Sequence, residues 1–171
     1  DEELCRAHKQ LFDIIDFLPD ATFVIDQNRK VIAWNRAIEE MTGVSKEDIV
    51  GSGARSYAEP FYGFKRPILI DSIFSEEGGI EKEYDYLRRK GDAIYAEVFV
   101  PHLYGGKGAY IWAIASPLFD EFGNIAGAIE SIRDITERKR AELDLRETRD
   151  YLDSLLHYAN APIAVWGPDM K

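Results

Sequence analysis

Tyr57, Phe61, Tyr62 and Phe64 bring four aromatic rings into eight residues, and Arg66 and Pro67 follow directly. Further along, Phe99, Tyr110 and Trp112 fall in strand-like segments that could face the same space. Aromatic walls with one convergent cation suit an amphiphilic or anionic small molecule. A guanidinium such as that of Arg66 can grip a carboxylate through two parallel hydrogen bonds. The candidate pocket is therefore Tyr57, Phe61, Phe64, Arg66, Phe99 and Trp112. The same rings would equally serve as core filling, with Arg66 paired to Glu59 or Asp71. Asp71, inside the apolar stretch Ile68 to Phe74, could sit on the solvent face.

Other chemistries find little footing. No carboxylate pairs with a histidine or nucleophilic serine in a local catalytic pattern, so the chain itself is not expected to be an enzyme. Clustered His, Cys and carboxylates of the kind that hold a metal are absent from the sequence pattern. Gly51-Ser52-Gly53 follows a helical segment and Gly105 to Gly108 joins two strand candidates, so neither reads as a phosphate-cradling loop. A net charge of −10 over 171 residues argues against nucleic acid and against anionic membrane surfaces. The single cysteine, Cys5, rules out an internal disulfide and suits a reducing cytosol. No apolar run approaches the ~20 residues of a membrane span, and the abrupt start at Asp1 suggests a piece of something larger.

The elements that must position these residues are legible from periodicity. Ala21 to Asp26 and Val31 to Trp34, with the polar turn Gln27 to Lys30 between them, form a hairpin. Asn35 follows as a helix cap, Ala37, Ile38 and Met41 share one face, and Gly43 stops the turn. Ser45 and Asp48 have capping-box spacing, and Pro67 to Phe74 reads as a further helix. Four strand candidates follow: Lys82 to Arg89, Ala93 to Leu103, Ala109 to Leu118 and Ile125 to Arg133. Two strands, small helices and then an antiparallel meander imply an α+β fold with helices on one face of the sheet.

Both ends are amphipathic helices. Leu4, Ala7, Leu11, Ile14 and Leu18 step by three and four residues, as do Leu145, Thr148, Leu152, Leu155 and Ala159. Leu11 to Lys30 aligns without gaps on Leu152 to Lys171, so the chain reads as one full unit plus the first strand of a second. At Ile132 to Lys139 a strand runs straight into the second helix, with Thr136 as its cap and Glu137 favoured by the helix dipole. Such a joint can pass a movement of the sheet downstream.

From about Leu11 to Lys139 the ordered motifs resemble a PAS domain of the sensory-box type. They are Pro19-Asp20-Ala21, Trp34-Asn35, Thr42-Gly43, Glu47 to Gly51, Arg89 to Asp92, and the closing Asp134-Ile135-Thr136. The resemblance implies an antiparallel sheet of about five strands. Four candidates after the helices exceed the usual three, so either Lys82 to Arg89 lies outside the sheet or a hairpin is inserted. The expected layout is an N-terminal helix over 1–18, the PAS domain over 19–135, a signalling helix over 136–159 and a truncated second repeat over 160–171.

The family also implies cytoplasmic sensing and dimerisation ahead of an output domain, here expected to be a histidine kinase, and some members bind haem or flavin. Haem needs an axial ligand, yet His8 and His157 lie on the flanking helices and His102 in a strand. Covalent flavin chemistry needs a cysteine in the pocket, whereas Cys5 is on the N-terminal helix. The expected mechanism runs from the pocket to Asp134 and Thr136, then to a homodimer contact through Leu145, Leu152 and Leu155. The alternative is a ligand-free interaction module. A water-sized cavity holding a polar group would favour the first, and a core filled by Trp34, Phe99 and Trp112 the second.

Overall fold

A computed structural model describes residues 1–75 and 79–160. The chain divides into two compact units, Asp1–Ile135 and Thr136–Lys171. The expected repeat start over 160–171 falls, beyond Asn160, outside the described residues.

In the first unit, helix α1 (Glu2–Phe17) precedes the hairpin β1 (Ala21–Asp26) and β2 (Val31–Trp34). Short helices α2 (Arg36–Thr42), α3 (Lys46–Ile49) and α4 (Glu59–Tyr62) come next, then strands β3 (Tyr86–Lys90), β4 (Ala93–Val100), β5 (Ala109–Phe119) and β6 (Ile125–Asp134). The strands form one six-stranded sheet in the order β2-β1-β6-β5-β4-β3, every neighbouring pair antiparallel. Strand β6 thus lies at the centre, between β1 and β5. Six strands rather than about five result because Tyr86–Lys90 folds back on β4 through the two-residue turn Gly91-Asp92. It is a mostly exposed edge strand bearing Arg88, Arg89 and Lys90, charges that discourage further pairing.

Side-chain alternation divides the sheet into two faces. Ile94, Ala96, Ile111, Ala113, Ala115, Ala128 and Ile132 are buried on the inner face under the small helices. The four alanines leave room that larger side chains from the helix layer fill, notably Tyr57, Phe61, Leu69 and Ile70. Phe23 anchors this packing, its ring 5.5 Å from Trp34, 5.6 Å from Tyr57 and 6.4 Å from Phe61. The segment expected as a helix over Pro67 to Phe74 is a shorter 3₁₀ stretch, Leu69–Ile73. Gly127 is needed for close approach: a methyl there would collide with the Ile25 carbonyl oxygen on β1.

Asn35 caps α2 as the sequence requires, but its side chain reaches well beyond that helix. Its Oδ1 accepts from the N–H groups of Thr22 (2.9 Å) and Ile38 (3.1 Å), while Nδ2 donates to the carbonyls of Ile15 (3.0 Å) and Asp20 (2.9 Å). Gly43 ends α2 with a left-handed φ of 75°. Ser45 makes no capping bond to the backbone; its hydroxyl instead donates to Asp48 Oδ2 at 3.1 Å.

The second unit is described as helix α5 (Thr136–Asn160), 25 residues long. Thr136 is its first helical residue rather than the cap before it. Neither α1 nor α5 buries a residue, and neither is long and apolar enough to cross a membrane; no described helix is.

Replacing Asn35 leaves buried backbone donors and carbonyls without partners. Asn35→Ala should lower stability by roughly 2–4 kcal/mol. Urea unfolding checks this, and a loss below about 0.5 kcal/mol would show that water substitutes for the amide.

Candidate functional site

The expected pocket residues do not converge. Tyr57 and Phe61 are buried on the inner side of the sheet. Phe99 is 43% exposed on the outer face, its ring 4.9 Å from Tyr110. Trp112 also lies on the outer face, 5.9 Å from Tyr95 and beneath the Arg133 guanidinium at 5.8 Å. The reason is strand alternation: Phe99 and Trp112 point opposite to their buried neighbours Val100, Ile111 and Ala113. Phe64 is 58% exposed beyond the end of α4. Phe99, Trp112 and Phe64 are therefore removed from the pocket.

Arg66 does not pair with Glu59 or Asp71. It forms an ion pair with Glu83 and lies over the Tyr62 ring, 4.2 Å from the centroid. Asp71 is buried, not solvent-facing, and its carboxylate is well supplied with donors. The Tyr57 hydroxyl donates to Oδ1 at 2.7 Å and the Ile68 N–H to Oδ2 at 2.9 Å. Arg29 and Arg55 approach Oδ1 at 3.4 and 3.5 Å. Burial, followed by the Asp71 charge, pushes the Tyr57 hydroxyl far above its usual range, so it acts as a fixed donor. This cluster holds the segment Leu69–Ile73 in place.

A different carboxyl has no such support. Glu130, on central strand β6, faces the core between Phe23 of β1 and Ala115 of β5. It is 3% exposed, and its Oε2 is the sole buried side-chain oxygen or nitrogen without a partner among the described residues. Burial, and secondarily the Asp71 charge, push its carboxyl up to about 8. Beside it lies a void of about 10 Å³, room for one water. The lining includes Phe61, Tyr62, Ile68, Tyr84, Ile111 and Ile132. The Tyr62 and Tyr84 hydroxyls share a hydrogen bond, and burial together with the Glu130 charge raises both above the usual tyrosine range. At neutral pH they are uncharged hydroxyls. Larger depressions exist, such as a groove of about 270 Å³ near Phe74, Arg89 and Asp92, but they hold no unpartnered buried group among the described residues.

The inner site is thus Glu130, Tyr62 and Tyr84 with Phe61 as a wall and Arg66 stacked on Tyr62. A buried acid, two hydroxyls and apolar walls can bind a small polar group and respond to its charge. Glu130 carries a sequence signal of its own: it interrupts the two-residue apolar rhythm Ala128, Ile132 on a strand. Among the described residues no group of His, Cys, Asp and Glu could hold a metal ion.

The far end of β6 is also pinned. The Tyr104 hydroxyl hydrogen-bonds the Asp134 carboxylate, and the Ile135 N–H donates to the Tyr110 carbonyl at 2.8 Å. Arg133 grips Asp20, just ahead of β1, through bonds of 3.1 and 2.9 Å.

Comparison with known proteins gives a consistent result. Residues 15–140 match the PAS fold family. The chain is 25% identical over 160 residues to two-component system protein A of Emericella nidulans, covering 88% of this chain and 21% of that protein. It is 25% identical over 143 residues to the bacterioopsin transcriptional activator of Halobacterium salinarum, covering 84% of this chain and 18% of the activator. The chain therefore spans about a fifth of the length of these curated relatives. The solved PAS domain of Bordetella pertussis BvgS superimposes with a TM-score of 0.51 at 17% identity, over 84% of this chain and 98% of that one.

A carboxyl raised by burial holds its proton in the folded state while the unfolded chain has already lost it. Stability should therefore fall as pH rises from about 4.5 to about 8, by at most ~1.4 kcal/mol per pH unit, and level off above. Glu130→Gln should remove this slope and be more stable than the parent at pH 8, with the gap narrowing towards pH 5. Parallel pH profiles for the two proteins would show that Glu130 ionises normally.

Proposed function

The chain belongs to the PAS fold family, and from that premise we propose that it is a sensory module reading a small molecule through the void under Glu130. The single observation that carries this reading is the buried Glu130 carboxyl on β6, whose Oε2 has no partner. That strand ends at Asp134, two residues before α5 begins at Thr136. A ligand that pairs with Glu130 changes the charge on the central strand, and Ile135 alone links that strand to the output helix along the chain. Asp134 and Thr136 are the transmitting joint. Tyr104 and the Ile135–Tyr110 bond define its resting state.

The output belongs to a longer protein. The likeness to a two-component system protein supports a histidine kinase as the recipient, and the module itself performs no catalysis. In a homodimer, Leu145, Leu152 and Leu155 of α5 would meet their counterparts, since their spacing follows a heptad seam. The surroundings are cytoplasmic in this reading, as the lone exposed Cys5 suggests.

Hydrogen exchange followed along the chain tests the coupling. Glu130→Gln should alter protection both in β6 and in the first turns of α5. In the double variant with Asp134→Ala the change should stop at β6, with global stability within about 1 kcal/mol of the Glu130→Gln single variant. Identical exchange over residues 136–146 in all the proteins would remove the joint from the mechanism.

A ligand-free dimerisation module is the second reading, supported by the exposed leucines of α5, of which Leu145 is 70% and Leu152 52% exposed. Leu145→Asp with Leu152→Asp should weaken self-association at least roughly tenfold in sedimentation, since each buried charge costs more than the leucine contact it replaces. Unchanged association would take α5 out of the interface.

A further inference from the structure

We propose that the void under Glu130 is a recognition site for one ammonium group, supplied by the ammonium ion or by the head of a small primary amine. This rests on reading the pocket as sensory and names what the pocket takes.

Chemical complementarity points to this class. Oε2 of Glu130 is buried without a hydrogen-bond partner, and such an atom costs free energy until a partner reaches it. The surrounding groups come from every element packed against it. Phe23 of β1 and Ala115 of β5 flank it, Tyr62 and Phe61 come from α4, and Ile68 and Tyr84 close the helix side. The charged neighbour that acts on it is Asp71, itself already paired with Arg29 and Arg55. No cation pairs with Glu130 among the described residues. On the helix side the Arg66 guanidinium lies 4.2 Å from the Tyr62 ring centroid and is itself paired with Glu83.

The head of a primary amine carries three N–H donors and the free ammonium ion four. Glu130, Tyr62 and Tyr84 line the same void, and a hydroxyl oxygen can accept a further bond beside the one the two tyrosines share. The rings of Phe61 and Tyr62 complete its wall. The size also agrees: about 10 Å³ holds one water-sized group, whereas a quaternary ammonium, bulkier and without N–H, does not fit.

Binding has a proton balance. The Glu130 carboxyl, raised to about 8, carries its proton at neutral pH and must give it up to solvent as the cation enters. Affinity for the ammonium group therefore rises with pH between 6 and 8, and the protons released per cation bound fall from about one at pH 6 to about half at pH 8.

The test uses the whole chain, isotopically labelled, titrated at constant ionic strength with ammonium chloride, methylammonium chloride, tetramethylammonium chloride and sodium chloride. The readouts are the Glu130 carboxyl carbon resonance and the thermal midpoint, at pH 6 and pH 8. Ammonium or methylammonium should move the Glu130 resonance to its ionised position, with affinity roughly tenfold or more higher at pH 8 than at pH 6. Tetramethylammonium and sodium should leave it unmoved, and Glu130→Gln should lose the rise in thermal midpoint. A response to ammonium alone identifies the free ion, and a response to methylammonium as well identifies an amine head. No movement with either, equal movement with sodium, or an unchanged response in Glu130→Gln overturns the proposal. The resonance of the parent protein decides even if the variant folds poorly. A neutral molecule retained in native mass spectra, without any ammonium response, would sink this inference and leave the sensory pocket standing. An ammonium response with no exchange change in α5 would do the reverse.

Discussion

One buried amide holds the first unit together. The Asn35 side chain accepts from the backbone of β1 and of α2 and donates to carbonyls at the end of α1 and just before β1. Four stretches of chain meet at a residue that is 1% exposed. An amide is suited to this because it offers donors and acceptors in one plane, where a carboxylate or hydroxyl offers fewer of one kind. With Asn35 in place, the hairpin β1–β2 is locked to α2. Phe23 and Trp34 are then held where the inner core needs them.

Upon that frame the protein carries two buried acids with opposite treatment. Asp71 is surrounded by donors and arginines, so its charge is stabilised and its role is to hold a 3₁₀ segment against the sheet. Glu130 receives neither a donor at Oε2 nor a cation. Leaving one carboxyl unsatisfied costs stability that a packed aliphatic residue at the same place would not. Its position at the middle of the sheet, on the strand that leads to α5, gives that cost a use: whatever satisfies Glu130 changes the energy of the central strand. The bonds at Asp134 and Ile135 set where a movement of that strand would be felt.

The outer face of the sheet is a separate surface. Tyr95, Phe99, Tyr110 and Trp112 pair across β4 and β5 there, and Arg133 covers Trp112. These rings are half-buried or exposed and share no space with the void under Glu130. Adding them to one pocket fails on geometry, because neighbouring residues in a strand face opposite sides.

Local chemistry made much of this legible from the sequence. The strands Ala21–Asp26 and Val31–Trp34, the Asn35 cap and the Gly43 stop follow from propensity and turn residues that act within a few positions. Membership of the PAS family followed from motifs in order along the chain. The sequence alone also singled out the aromatic cluster Tyr57, Phe61, Tyr62 and Phe64, of which Tyr57 and Phe61 are buried. Tertiary structure decided the rest. Whether Tyr86–Lys90 joins the sheet depends on pairing with β4, and whether Trp112 sees the core depends on the register with Arg133 and Glu97. Glu130 became a site only when β1 and β5 closed on either side and the helix layer sealed it from water. Desolvation is a property of the surroundings in three dimensions, and no spacing along the chain encodes it.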